Sequence, residues 1–328
     1  MQHTDILTHA LAYALDTDLA SNPSVTSNVA VVNASGYEPR GYVKQSIHAC
    51  NKLSDTLNGV FSTVLVRATR QTAETLGLVA QALSHTAPKG HVYIAQENAH
   101  GAASLEKQLH AAFTGVRTII KHKCRVMVLQ PDAANADTIK QWAATAALQQ
   151  VPATGYWSAP GLFAWDRFDA GSKLLLAHLP EKLEGRGADL GCGYGFLSRE
   201  IIQKDGVKAL YAIDADARAV EACRKNLEAS GTEIPFQVFW RDATTPQAEI
   251  PKLDWIVMNP PFHTQQEEDR ELGQKFCTAA IKLLRTGGKL YLVANRHMPY
   301  EALLEKAARK VTLLADKDGF KILCAQSA

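Results

Sequence analysis

Apolar and polar positions along the chain switch repeatedly between two periods. In the first half, Asn28–Ala34, Phe61–Arg67, His91–Ala95 and Cys124–Gln130 are short runs rich in valine, isoleucine and aromatic residues, which predicts strands. Gln71–Ser84 and Ala103–Phe113 place apolar residues at helical spacing, which predicts helices between them. The stretch Gln149–Gly161 carries two prolines and two glycines and reads as a connection. Beyond it the alternation is more regular. Strands are predicted at Gly187–Leu190, Ala209–Asp214, Phe236–Trp240, Leu253–Met258 and Lys289–Ala294. Helices are predicted around Lys173–His178, from Phe196, and over Ala217–Glu228, Arg270–Leu284 and Glu301–Arg309. Lys310–Leu314 and Phe320–Ala325, split by Asp316-Lys317-Asp318-Gly319, read as a closing β-hairpin. The fold class is therefore α/β, with a doubly wound, Rossmann-like second half whose ligand crevice lies outside the carboxyl ends of the strands.

The 328 residues favour two domains, drawn at 1–150 and 161–328 with a linker over 151–160. Hydrophobic residues at 46% and charged residues at 21% exclude a largely disordered chain. No apolar run approaches membrane-spanning length, so no membrane partner is expected, and the first residues, Met1 to Asp5, do not look like a secretory leader. The six cysteines form no CxxC pair and the histidines have no ligand spacing, so no metal site is expected; a reducing, cytoplasmic compartment is the simplest reading. The net charge is +2, and neither half is basic: 12 Lys+Arg face 10 Asp+Glu in residues 1–150, and 23 face 23 in the rest. A nucleic-acid partner, if there is one, must be held by a patch that folding assembles.

Four strand ends carry the candidate chemistry. The first is Asp189-Leu190-Gly191-Cys192-Gly193-Tyr194-Gly195, a glycine turn between a strand and a helix, where backbone can approach a ligand closely. Phe196 stands where a dinucleotide fingerprint wants its third glycine, which weakens a reading as an NAD-dependent enzyme. An acidic residue just ahead of the glycines is also the pattern of S-adenosylmethionine sites. The second is Asp214, 19 residues past Gly195, where a carboxylate can accept from two ribose hydroxyls. The third is Asp242, either at an adenine edge or capping the turn before Thr244. The fourth is Asn259-Pro260-Pro261-Phe262, a stiff turn in which the Asn259 side-chain oxygen and the Pro260 carbonyl can face both N–H groups of an exocyclic amine. Two such acceptors favour a pyramidal nitrogen and aim its lone pair at an electrophile, so catalysis rests on positioning. Phe262 can stack on the base. Cys192 reads as a filler, because the backbone does the binding in that loop.

From Gly161 to the end the chain resembles the ribosomal RNA guanine-N2 methyltransferases, the RsmC and RlmG group, a class I S-adenosylmethionine-dependent family. GADLGCGYG looks like their cofactor loop, MNPPFH like their catalytic turn, and Leu290–Tyr300 and Pro160–Leu176 like two further segments of their catalytic domain. The first half resembles the family in size, α/β pattern and short pieces such as VYIAQENAHG. The resemblance implies a degenerate methyltransferase-like first domain that supports folding and RNA contact. It implies S-adenosyl-L-methionine as cofactor, held at its methionine end by Asp189, Gly191, Cys192, Gly193 and Gly195. Asp214 is then at the ribose and Asp242 at the adenine, with Phe163, Asp169 and Gly171 closing over the cofactor. Asn259, Pro260 and Phe262 are the implied catalytic residues, with Pro261 beside them; His263 is either a substrate contact or a structural or rim histidine, and Arg296 and His297, at a strand end facing the crevice, are candidate substrate contacts. Tyr194 departs from the family, where a smaller residue is usual. The implied partner is ribosomal RNA or a ribosomal subunit, the small subunit ahead of the large, and the chain is expected to act as a monomer. Rival readings are the same chemistry on adenine N6 or a protein glutamine, and a non-catalytic RNA-binding assembly module.

Overall fold

The computed structural model describes residues 6–19, 29–32, 43–47, 59–131, 135–260 and 267–328. The chain divides into two compact units, residues 1–147 with 159–161, and residues 148–158 with 162–328.

In the first unit, six strands form one mixed sheet: β1 (Val29–Val32), β2 (Val43–Ile47), β3 (Phe61–Arg67), β4 (Thr86–Glu97), β5 (Arg117–Lys121) and β6 (Cys124–Leu129). Their order is β2-β1-β3-β4-β6-β5, with β6 antiparallel to both neighbours and the other pairs parallel. A parallel sheet must be covered on both faces, which is why β3 and β4 are apolar at consecutive positions. Val64, Val66, Val92 and Ile94 point to the face covered by α2 (Thr72–Ser84), α3 (Ala102–Ala112) and, at its margin, Trp142 of α4 (Ala136–Ala146). Leu65 and Tyr93 point to the other face, covered by Leu11 and Leu15 of α1 (Ile6–Leu19).

The second unit follows the same logic. Its elements are β7 (Gln149–Gln150), β8 (Trp157–Ser158), α5 (Ala170–His178), β9 (Lys182–Leu190), α6 (Phe196–Ile201), β10 (Asp205–Asp214), α7 (Ala217–Glu228), β11 (Phe236–Trp240), β12 (Leu253–Met258), α8 (Glu267–Leu283), β13 (Leu284–Asn295), α9 (Tyr300–Ala307), β14 (Ala308–Lys317) and β15 (Phe320–Ser327). Seven strands lie in the order β11-β10-β9-β12-β13-β15-β14, with β15 antiparallel to its two neighbours. Side chains alternate between two buried faces: Ile256, Met258, Leu290 and Leu292 pack with α8 and α9, while Trp255, Val257, Tyr291 and Val293 pack with α5, α6 and α7. That double burial makes the sheet doubly wound. The hairpin β14–β15 turns through Asp318 (φ 54°) and Gly319 (φ 82°), the left-handed pair that a two-residue hairpin needs. With β11 set aside, the two units have the same strand order and the same antiparallel strand beside the last. Among the described residues, no helix is long and apolar enough to cross a membrane.

The stretch that composition marks as a connection carries structure. β7 and β8 pair antiparallel, and Asn226 of α7, fully buried, clamps the hairpin. Its Oδ1 accepts from the Trp157 N–H at 2.7 Å, and its Nδ2 donates to the carbonyls of Trp157 at 2.8 Å and Tyr194 at 2.7 Å. Asn226→Ala leaves three backbone groups without a partner, one of them buried, and is expected to cost about 2–3 kcal/mol. Urea denaturation read by tryptophan fluorescence checks this, and an unchanged midpoint would contradict it.

Candidate active site

β9 lies between β10 on one side and β12 on the other, so the chain leaves β9 in both directions across the sheet. Such a switch point opens a crevice at the carboxyl ends of the strands, and the predicted loops meet there. Gly191 and Gly193 hold φ of +73° and +53°, and the Gly191 and Cys192 N–H groups donate to the Ile213 carbonyl at 2.8 and 3.1 Å. The Gly193 N–H donates to Asp214 Oδ2 at 2.8 Å, and the Asp216 N–H to Asp214 Oδ1 at 2.8 Å. The glycine loop is thus tied to the end of β10 through one carboxylate. Burial pushes the Asp214 carboxyl up, against the pull of these N–H groups.

A cavity of about 340 Å³ opens beside this loop. Phe163, Gly191, Gly193, Asp214, Asp242, Asn259 and Pro260 line it, together with Leu272 and Phe276 of α8. A smaller cleft shares Phe163, Gly191, Gly193 and Asn259 and adds Asp169, Asp189 and Cys192. A larger groove of about 770 Å³, between the β11–β12 connection and α8, shares only Ala243 with the cavity. It contains neither the glycine loop nor Asn259, so the chemistry sits in the smaller space.

Asp189, at the end of β9, is only 1% exposed. Its Oδ2 accepts from the Ser198 hydroxyl at 2.7 Å, while its enclosed Oδ1 has no partner among the described residues. Burial pushes its carboxyl up to about 7, and the nearby Asp214 adds in the same direction. An enclosed, unpartnered carboxylate oxygen beside a glycine cradle fits a ligand that brings an ammonium group. Cys192 is buried, and contact with Cys223 together with burial pushes its thiol well above the usual thiol range. It is a packing group, not a nucleophile.

Gly195 lies outside both cavities and serves packing. It caps α6 at φ +87°, and a Cβ there would stand 2.7 Å from Cys223 Sγ and 2.9 Å from its Cα. Gly195→Ala is expected to cost about 3 kcal/mol, from overpacking plus a left-handed backbone, read as a lowered denaturation midpoint. Gly171 is buried in the first turn of α5, with Phe320 3.1 Å from where a Cβ would stand. Asp242 caps the turn before Thr244 and also lines the cavity. Its Oδ1 accepts from the Thr244 N–H at 2.8 Å and hydroxyl at 2.7 Å.

Asn259 follows β12. Its Nδ2 donates to Asp169 Oδ2 at 2.9 Å and to Ser172 Oγ at 2.8 Å. Asp169 is the N-cap of α5, where Oδ2 also accepts from the Ser172 N–H at 2.7 Å. Both amide hydrogens are thereby taken, and the side-chain oxygen is the group left for the cavity. Arg296 and His297 are exposed and line neither cavity; Arg296 Nε pairs with Asp316 Oδ1 at 2.5 Å on the β14–β15 hairpin. Pro261, Phe262 and His263 lie outside the described residues.

Residues 154–324 match the family described as "Methyltransferase small domain". The chain belongs to the methyltransferase small domain family. Relatives of this methyltransferase include the ribosomal RNA small subunit methyltransferases C of Psychromonas ingrahamii and Shewanella pealeana. Each is 29% identical; the matches cover 80% of this chain and 75% and 76% of those proteins. In fold it is similar to a T. thermophilus 16S rRNA guanine-N2 methyltransferase solved with AdoMet and guanosine, with a TM-score of 0.76 and 21% identity over 99% of this chain and 93% of that one.

Several site residues of this methyltransferase escape sequence reasoning. Ser172 and Ser198 supply the hydroxyls that hold Asn259 and Asp189, and Leu272 and Phe276 supply the apolar wall. The only signal of the two serines is position, in the first turn of a helix that follows a candidate residue. Tyr194, the departure from the family pattern, lines the smaller cleft and joins an aromatic cluster. Its hydroxyl donates to the Arg167 carbonyl at 3.0 Å, and its ring meets Tyr156, which in turn packs on Phe168 and Phe196. Phe196, where a third glycine is missing, is thus a packing residue for the segment entering α5.

Proposed function

We propose that the protein transfers a methyl group from S-adenosylmethionine to the exocyclic N2 amine of a guanine in small-subunit ribosomal RNA. The observation that carries this is Asn259, whose amide hydrogens are both engaged and whose oxygen is left to accept from an amine beside the glycine loop. The small-subunit relatives support the RNA, and the T. thermophilus protein, a 16S rRNA guanine-N2 methyltransferase, supports the base.

When bound, the cofactor supplies a sulfonium methyl that leaves by in-line displacement. The chain's own residues bind and aim. Asp189 takes the ammonium, Asp214 the ribose hydroxyls, and Asp242 with Phe276 the adenine. Asn259 Oδ1 and the Pro260 carbonyl accept from the two N2 hydrogens. Held this way, the amine would present its lone pair to the methyl group the cofactor would supply, and the proton lost by the nitrogen would go to water. In duplex RNA that amine is paired, so the guanine is single-stranded or flipped out when it reacts, and Phe262 stacks on it. The first unit, which repeats the strand order of the second apart from β11, is read as a degenerate copy that supports the RNA. The enzyme acts as a monomer in the cytoplasm.

The test is incubation with methyl-labelled cofactor and unmethylated small subunits, large subunits or naked ribosomal RNA, followed by nucleoside digestion. Label in N2-methylguanosine from small-subunit RNA is expected. Label in methyladenine or in protein would move the acceptor.

A further inference from the structure

We propose that Asp169 and Ser172 are positioning residues that fix which end of the Asn259 amide faces the substrate, and so make the site select an amine; this rests on the reading of Asn259 given above. An asparagine amide is nearly symmetric in shape, with oxygen and nitrogen differing little in size. Turned one way it presents an acceptor, and turned the other it presents two donors. The residue type alone does not choose between them.

Asp169 does choose. A carboxylate accepts and cannot donate, so only the amide nitrogen can face it, at the observed 2.9 Å. Ser172 Oγ takes the second amide hydrogen at 2.8 Å. Turning the amide over would set its oxygen against the Asp169 carboxylate and aim its N–H groups at the substrate. Asp169 is itself held: its backbone begins α5 and its Oδ2 accepts from the Ser172 N–H at 2.7 Å. One oxygen thus joins a helix start to the Asn259 side chain.

Two consequences follow for the chemistry. A guanine edge carries one amine and an acceptor oxygen, O6, and a site that offers only an acceptor discriminates for the amine. The hydrogen bond to a charged acceptor also polarises the amide toward its oxygen, which strengthens Oδ1 as an acceptor. Asp169 and Ser172 act through Asn259 and do not touch the reacting atoms.

The test pairs a structural and a kinetic reading on the full chain. Asp169→Ser keeps an N-cap oxygen for α5 but is too short to reach Asn259. Asp169→Asn retains one acceptor oxygen and is the conservative control. With selective ¹⁵N-asparagine labelling, the Asn259 side-chain signal is identified by its loss in Asn259→Ala. It is expected to be shifted downfield and slow to exchange in the wild type and in Asp169→Asn, and to move to solvent-exposed values in Asp169→Ser. On guanine N2, Asp169→Ser is expected to lower kcat about 10²-fold. Asp169→Asn recovers most of the rate. In an Asn259→Ala background, Asp169→Ser costs nothing further. An Asn259 signal unchanged in Asp169→Ser overturns the proposal, as does full additivity of the two substitutions. If the wild type methylates no guanine, the reading of the reaction fails, and the Asn259 signal alone still upholds or overturns the role of Asp169.

Discussion

Asn259→Ala is expected to lower kcat for methyl transfer about 10³-fold while the cofactor Kd stays within about threefold. The amine lone pair is delocalised into the base, and the substitution removes the acceptor that favours its pyramidal form. It also leaves Asp169 Oδ2 and Ser172 Oγ without the donor they now share. The residues proposed to hold the cofactor, Asp189, Asp214 and the glycine loop, are untouched, so binding and chemistry separate. Single-turnover rates with excess enzyme, beside calorimetric titration of the cofactor, measure both. A kcat within threefold of wild type would remove Asn259 from the catalytic turn. A parallel collapse of cofactor affinity would make it a binding residue instead.

The second large effect belongs to Asp189. Burial, with some help from Asp214, raises its carboxyl to about 7, so the free protein holds it largely neutral in mild acid. A ligand ammonium pairs with the ionised form only. Binding therefore expels a proton below pH 7, and the affinity rises with pH about tenfold per unit between pH 5 and 7. Above that the dependence flattens, because the carboxylate is already ionised before binding. The sign for folding is the reverse of a salt-bridged carboxylate. A raised native value means that stability from this group is greatest when it is protonated and declines as pH rises toward 7. Asp189→Asn abolishes the pH slope of binding and raises the cofactor Kd about 10²-fold at pH 7.5, since it removes the charged partner of a buried ammonium. Cofactor titrations of both proteins across this window decide the point. A slope that survives in Asp189→Asn would assign it to another group.

Most of the fold was legible because both faces of each sheet are buried. That demand writes runs such as FSTVLVR and LDWIVM into the chain, with turn residues between them. Of the elements that escaped, which also include α1, β2 and α4, three lack the signal for a physical reason. β5, Arg117–Lys121, lies at a sheet edge with much of it exposed, so little apolar pattern is demanded of it. β7 and β8 are two residues each and rest on Asn226, 69 positions beyond Trp157. A local composition rich in proline and glycine reads as a connection when its partner is that far away.

For the site, the sequence by itself determined the kinds of group and the strand ends that carry them: an acid before a glycine turn, Asp214 and Asp242 at the next two strand ends, and Asn259 at the fourth. It could do so because a parallel sheet sends every such loop to one edge, whatever the details of packing. Only the tertiary structure decided what each group is left free to do. It buried Asp189 with one oxygen paired and one open, assigned Gly195 and Gly171 to packing, and left Arg296 paired to the hairpin, out of both cavities. It also joined Asn259 to Asp169, 90 positions earlier. Hydrogen-bond partners and burial depend on contacts between segments distant in the chain, and no local pattern encodes them.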